Sequence, residues 1–383
     1  MSMWTKLKAR KKLVDSFKAA GIYLGPDDRR IYPKIHSVST TGHSTEFTFT
    51  LPAGINPGLL KKHEYVFHQK FGNRLEFKGE YKNFTLTVYA NALPAVLKYN
   101  HSSILPQIEG HSIPIVAGQD ANGSMVVYDM VKNPHLLIAG ETGSGKSTQL
   151  RSVISTLIQA LPPYRLQLYL CDLKRSEFHL FRQIEHVQGV YVSPGEMIPI
   201  LQELQGEMRH RGDMLDAHEV AHIDDLPEPP PYIILCIDEV ALLQDERKVM
   251  ALIEEISAIG RALGVFLVLS MQRPDRKVLD GKLKNNLTVR MGFKCADLIN
   301  SRIVGTPGSE KLKQEGRMLL KLPGLSGSQE IQAPYLSIHE AKKILDPYRC
   351  LTAKGANKSP IKASDKVIEL QETENGIFGV LEE

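Results

Sequence analysis

Eight consecutive residues, Gly140-Glu141-Thr142-Gly143-Ser144-Gly145-Lys146-Ser147, constrain this chain more than any other stretch. They fit G-x-x-x-x-G-K-[ST], and Thr148 follows. Ahead of them runs His135-Leu136-Leu137-Ile138-Ala139, a short apolar stretch that reads as a buried parallel strand. Behind them, Leu150, Val153, Ile154, Leu157 and Ile158 recur on one helical face, which predicts a helix over 149–160. Strand, glycine-rich turn and helix together make a phosphate cradle. Glycines let backbone N–H groups face phosphate oxygens, and the helix start adds partial positive charge. In such a cradle Lys146 reaches the β- and γ-phosphates, and the Ser147 hydroxyl holds Mg²⁺. ATP with Mg²⁺ is the ligand these residues are built for.

The surrounding sequence alternates strands and helices. Residues 166–172 read as a strand ending in Asp172, residues 232–239 as one ending in Asp238 and Glu239, and 265–270 as a third. Helices are expected over 198–215 and 249–263, and a surface loop over 222–231. Such alternation predicts an α/β fold, a P-loop NTPase of RecA-like type with a mostly parallel sheet covered by helices. Ligands of these sheets sit at the carboxyl ends of the strands. Asp238 is therefore expected to order the Mg²⁺ shell, and Glu239 to polarise an attacking water. Gln272, just past the third strand, adds an amide able to bond both γ-phosphate and water.

The 383 residues suffice for two or three domains. We expect a basic N-terminal helix over 1–30, a small α+β domain over 31–105, the motor domain over 106–350, and a linker and tail over 351–383. Within residues 1–20, Lys6, Lys8, Arg10, Lys11, Lys12 and Lys18 face one acid, Asp15. It reads as a tether for the terminus, with contact to nucleic acid or an acidic membrane as the alternative. The small domain should hold strands at 44–51, 74–79 and 84–89 and a helix at 57–71. No run of 18 apolar residues and no apolar signal core occur, and Cys171, Cys236, Cys295 and Cys350 form no C-x-x-C. These features predict a cytoplasmic protein with reduced thiols, recruited to a membrane, if at all, by a partner. A net charge of +4 permits a polyanion partner without demanding one.

The longer stretches resemble the motor core of the FtsK/SpoIIIE family of DNA translocases. The resemblance covers roughly 31–345. It runs through Asn133-Pro134-His135, Cys171-Asp172-Leu173-Lys174-Arg175-Ser176-Glu177-Phe178, the acid-ended strand at 231–243, Gly260-Arg261-Ala262-Leu263-Gly264, Gln272-Arg273-Pro274, 283–302 and 308–320. Leu173 replaces the family's proline, and neither membrane spans nor a C-terminal winged helix are evident. The resemblance implies an ATP-driven motor working as a homo-hexamer on DNA. It also implies a coupling or transfer role on a conjugative element, with a relaxase or membrane channel as partner. A type VII-like secretion ATPase and a viral DNA-packaging ATPase are the alternatives within the same fold group. In a ring, a neighbouring subunit is expected to supply a positive group at the γ-phosphate. Arg302 is the first candidate and Arg290 the second.

After Gln272 comes a basic run, residues 273–286, with five Lys or Arg and two Asp. A loop there, facing a ring channel, would grip phosphates without reading bases, so Arg276, Lys277, Lys282 and Lys284 are the expected DNA contacts. The absence of aromatic residues in the run favours duplex DNA. Arg209 and Arg211 form the reserve candidates.

Overall fold

Two large sheets over two apolar cores organise the computed structural model, which describes residues 3–26, 28–40, 44–72, 75–89, 93–279, 281–325 and 327–350. The expected tail over 351–383 lies outside the described residues, as do His43 and Asp280.

The first unit contains α1 (Met3–Ala19), β1 (Lys34–Thr40), β2 (Ser44–Thr50), α2 (Gly58–Lys62), α3 (Glu64–Phe71), β3 (Leu75–Glu80) and β4 (Asn83–Tyr89). Its sheet is antiparallel in the order β1-β2-β4-β3. Alternation in β2 puts Phe47 and Phe49 inward, as period-two patterning requires. Phe17 of α1 meets Phe49 at 5.0 Å and Phe67 at 5.7 Å between ring centroids. These are edge-to-face contacts, favoured by the ring quadrupoles. The expected boundary at residue 30 therefore moves. Leu13 and Phe17 belong to the small domain's core, and α1 is part of that domain. The exposed basic residues of α1 line its outer face, and Lys12 lies over the Phe71 ring at 5.0 Å. Strand β1 escaped the sequence reading because its buried positions are few, with polar residues at most others. The expected single helix over 57–71 is two, broken at His63.

The chain then passes into β5 (Leu97–Lys98) and α4 (His101–Ile108). Ile104 and Ile108 pack against Val116, and the Tyr99 hydroxyl is 3.0 Å from the Thr156 hydroxyl. Residues 97–108 thus pack on the second unit, earlier than the expected boundary at 106.

The second unit continues with β6 (Pro114–Gln119), β7 (Met125–Asp129), β8 (Leu136–Ala139), α5 (Lys146–Ala160), β9 (Leu166–Asp172), β10 (Val187–Tyr191), α6 (Pro194–His218), β11 (Tyr232–Asp238), α7 (Arg247–Ile259), β12 (Val265–Met271), α8 (Gly281–Asn286), β13 (Val289–Phe293), α9 (Leu298–Val304), β14 (Arg317–Lys321), β15 (Gln329–Gln332), β16 (Pro334–Tyr335) and α10 (Ile338–Leu345). Ten strands form one sheet, β10-β9-β11-β12-β8-β13-β14-β15-β6-β7. From β10 to β13 neighbours are parallel; from β13 onward they are antiparallel. The parallel part is built from uninterrupted apolar runs. Every residue of β8, β11, β12 and β13 is buried, which suits strands covered on both sides.

Helix α5 departs from a one-faced helix. Besides the expected apolar stripe, Ser152, Ser155 and Thr156 on its other side are buried too. A second layer covers that side. Arg151 donates to the Leu336 carbonyl at 2.8 Å and pairs with Glu177 at 3.1 Å, and Gln159 reaches the Tyr99 hydroxyl. Small hydroxylated residues allow the close approach; the Thr156 hydroxyl donates to the Ser152 carbonyl at 2.8 Å, while the hydroxyls of Ser152 and Ser155 are buried without a partner among the described residues.

Candidate nucleotide site

The eight-residue motif wraps from the end of β8 into α5. All three of its glycines have positive φ, and at two of them a side chain would also meet a neighbour. Gly140 and Gly145 have φ of 154° and 108°. A Cβ on Gly140 would lie 2.6 Å from the Phe293 Cβ, and one on Gly145 would lie 2.7 Å from the Gly316 Cα. Both are closer than side chains tolerate. The loop is also fastened from outside, because the Gly316 N–H donates to the Ser144 carbonyl at 3.0 Å. The N-terminus of α5, with Lys146 and Ser147 in its first turn, points into the cradle so formed.

Lys146, Asp238 and Glu239 are 4%, 5% and 4% exposed, an expensive set of charges to bury without partners. Ser270, at the end of β12, stands between two of them. The Lys146 ammonium donates to its hydroxyl at 3.3 Å, and the hydroxyl bonds Asp238. Burial holds Lys146 below the ordinary lysine range, against the attraction of Asp238 and Glu239. Burial likewise raises Asp238 above the usual carboxylate range, with Lys146 and Ser270 opposing. Both shifts mark charges with too little compensation, which a phosphate-bound cation and a phosphate would supply.

Glu239 has φ of 61°, in the left-handed region where a non-glycine residue is strained. Two contacts hold it there. Lys174 sits 2.7 Å from Oε2, and the Gln272 N–H donates to Oε1 at 3.0 Å. Gln272 in turn accepts from the Thr142 hydroxyl at 3.2 Å. The structure thus brings together the motif, Asp238, Glu239 and Gln272, as their sequence positions predict. It adds Ser270 and Lys174, to which the sequence alone gives no role. Their signal was positional: Ser270 ends the strand before Gln272, and Lys174 follows the acid that ends β9. Asp172 itself is turned inward, accepting from the N–H groups of Ser176, Glu177 and Phe178.

The donor set fits a Mg²⁺–nucleotide. Among the described residues no three His, Cys, Asp or Glu side chains converge as a metal cage. Mg²⁺ needs no such cage, since it binds through one or two protein oxygens plus phosphate and water. Ser147 and Asp238 are the residues that would hold it. A cavity of about 480 Å³ beside the cradle has the size of a small-ligand pocket.

The other expected residues lie apart. Arg302 is exposed at the end of α9 and shares a cleft with Arg276 and Lys284. Burial, then the charges of Arg290, Lys321 and Arg276, push Lys284 below the ordinary lysine range. Arg290 is buried and occupied within the fold. Its guanidinium donates to the carbonyls of Lys284 and Leu287 at 2.6 and 3.1 Å. It is unsuited to reaching a second subunit. Arg211 is likewise no free surface cation for DNA, being buried and bonded to Glu207 and to the carbonyls of Leu263 and Pro231. The basic run over 273–286 is no open loop. Val278, Leu279 and Leu283 are buried, and 281–286 is helical, while Arg276, Lys277 and Lys282 stay exposed.

Residues 106–228 match the FtsK/SpoIIIE family model. The DNA translocase FtsK of Helicobacter pylori (strain J99 / ATCC 700824) is 34% identical over 256 residues, covering 64% of this chain and 30% of that protein. The DNA translocase FtsK of Tropheryma whipplei (strain TW08/27) is 30% identical over 275 residues, covering 67% and 36%. The chain carries an FtsK/SpoIIIE family domain. It spans about a third of the length of the curated relatives it matches. Solved structures place the FtsK/SpoIIIE domain on a P-loop ATPase fold. The pCW3 conjugation coupling protein TcpA, determined as a monomer with ATPgS, superposes with a TM-score of 0.61 at 24% identity, covering 89% of this chain and 99% of its own. The cytoplasmic domain of the type VII secretion ATPase EccC of Thermomonospora curvata gives a TM-score of 0.56 at 26% identity, covering 65% and 32%. Among the described residues no helix is long and apolar enough to cross a membrane.

Proposed function

We propose that this chain is an ATP-hydrolysing motor that translocates DNA as a ring of six subunits, in the service of conjugative transfer. One observation carries the hydrolytic part: Lys146 and Asp238 meet through Ser270 at the buried end of the sheet, with Glu239 beside them. The γ-phosphate gives Lys146 the anionic partner that a neutral hydroxyl does not. Mg²⁺, held by Ser147 and Asp238, would neutralise phosphate charge. Glu239 orients or deprotonates the attacking water, and Gln272 ties that carboxylate to Thr142 of the phosphate loop. An arginine from the next subunit, Arg302, completes the charge at the γ-phosphate.

DNA as the substrate draws support from curated relatives at 30–34% identity that are DNA translocases. The conjugative setting is the narrower part of the reading. It draws on architecture, since a conjugation coupling protein shares the fold over 89% of this chain. A secretion ATPase is the second reading, favoured by the 26% identity to the EccC domain. The test is ATP turnover by the purified chain alone, with duplex DNA and with single-stranded DNA. Stimulation by duplex is expected. Turnover indifferent to both DNA forms but raised by a secretion-signal peptide would replace this reading with the second.

A further inference from the structure

The phosphate loop accounts for only one wall of the 480 Å³ cavity. Two further parts of its lining come from segments far away in sequence. One is the passage between the two units, with Ala95 and Val96; the other is the turn from β15 into β16, with Ala333, Pro334 and Tyr335. The segments are joined, because β16 pairs in parallel with β5 and the Tyr99 N–H donates to the Tyr335 carbonyl at 3.0 Å. Val96 and Tyr335 are 57% and 51% exposed, both large and apolar, and both line this cavity. Exposed apolar residues scattered singly mean little. Two on joined segments, lining the same cavity as a phosphate cradle, form a place for a flat apolar group.

The spacing between cradle and wall is fixed by backbone hydrogen bonds. Gly316 donates to the Ser144 carbonyl at 3.0 Å, and Ala333 donates to the Gly316 carbonyl at 2.8 Å. Pro334 and Tyr335 follow directly. On the other side, side chains add to them: the Gln314 amide donates to the Ala95 carbonyl at 3.2 Å and the Arg317 guanidinium to the Pro94 carbonyl at 3.3 Å.

We propose that Val96 and Tyr335 form the nucleobase seat of this site, the Tyr335 ring stacking on one face of the base and Val96 packing beside it. This rests on the nucleotide-site reading above and adds the part of the ligand that the phosphate motif does not touch. Stacking on an aromatic ring is worth about ten-fold or more in affinity per base. Part of the seat belongs to the passage into the small domain, so a bound base also presses on the segment that carries that domain.

The experiment titrates the full chain by calorimetry with Mg²⁺–ATP and with Mg²⁺–tripolyphosphate, which has the phosphates and no base. In Tyr335→Ala, ATP should bind about ten-fold more weakly and tripolyphosphate as in the unaltered chain; Tyr335→Phe should restore ATP binding. Val96→Asp should act in the same direction as Tyr335→Ala. Retained tripolyphosphate binding also shows that a variant has folded. Undiminished ATP affinity in both Tyr335→Ala and Val96→Asp would overturn the seat, as would equal weakening of both ligands. Lys146→Ala separates the two ideas, since it should weaken both ligands. If it weakens neither, the phosphate-site reading itself fails.

Discussion

The Lys174 ammonium lies 2.7 Å from a Glu239 carboxylate oxygen, joining the turn after β9 to the end of β11. Glu239 is buried and Lys174 about a third exposed, so the pair sits at the site's edge, shielded on the carboxylate side only. Removing one partner of such a pair leaves the other charge without compensation. For Glu239→Gln we expect ATP affinity within a few-fold of the unaltered chain and turnover down by about 10²–10⁴. Lys174→Ala should lower kcat by about ten-fold at unchanged KM, because it frees a carboxylate that must be aimed. Lys174→Arg should restore part of it. Steady-state kinetics on the three variants decide. Full turnover in Glu239→Gln would remove that residue from the chemistry.

Arg290 and Arg302 should separate cleanly. Arg290→Ala strands the carbonyls of Lys284 and Leu287 and empties the space beneath Gly305, where the guanidinium packs. We expect a stability loss of about 2 kcal/mol or more by urea denaturation. Arg302→Ala, at an exposed position, should leave the urea midpoint unchanged and abolish turnover. Mixing Arg302→Ala with Lys146→Ala subunits should regain activity at mixed interfaces. No recovery at any ratio would count against a site shared between subunits.

Lys277 and Lys282 are exposed on either side of a buried anchor, Val278 and Leu279. Replacing both with Ala should weaken DNA binding for all sequences alike. It should also flatten the dependence of log K on log salt by about two units. ATP turnover without DNA should persist. Binding isotherms at several salt concentrations test this, and an unchanged slope would move the DNA path to other residues. Since Arg302 shares its cleft with Arg276 and Lys284, the same measurement on Arg276→Ala asks whether that cleft serves DNA or a neighbouring subunit.

His135 supplies a pH test. Its Nδ1 accepts from the Leu267 N–H at 3.0 Å, and burial lowers its pKa from 6.5 to about 4. The unfolded chain therefore takes up this proton first as pH falls. The stability this residue contributes is complete above about pH 6.5 and drains away down to about pH 4. By pH 5 the loss should reach about 2 kcal/mol. His135→Asn keeps an acceptor and tolerates the φ of 62° at this position. Its denaturation midpoint should change less between pH 7.5 and 5. Identical pH dependence in both proteins would refute the assignment.

The phosphate motif and the acids that end β11 were legible because their information is local. A contiguous pattern fixes the turn, and an apolar run ending in charge fixes a strand with its acids at the sheet's edge. What stayed hidden depends on residues far apart. Phe17 completes a core with Phe49 and Phe67, yet the stripe in α1 is weak and its charges dominate the reading. Arg290 and Arg211 look like free cations in sequence; only their carbonyl partners show them to be internal struts. The base-facing wall could not be foreseen, because it needs a two-residue strand to pair with another of the same length. The four antiparallel strands from β14 to β7 were half legible. The apolar runs at 113–118 and 125–128 read as a hairpin, which β6 and β7 form, but β14 and β15 pair across the long return of the chain.

The contact between Gly145 and Gly316 has a consequence for how the molecule is made. Chains emerge from their N-termini, so the phosphate motif is synthesised long before the segment that braces it. Until β14 docks, Ser144 has no Gly316 N–H to hold it, and Ser270 and Asp238 also arrive later than the loop they complete. The stretch that matches the family model, 106–228, ends before all three of these residues. A fragment limited to it would carry the motif without its support. On the proposed function, competence to bind nucleotide is thus expected only once the return strands have been made and lock the loop from behind.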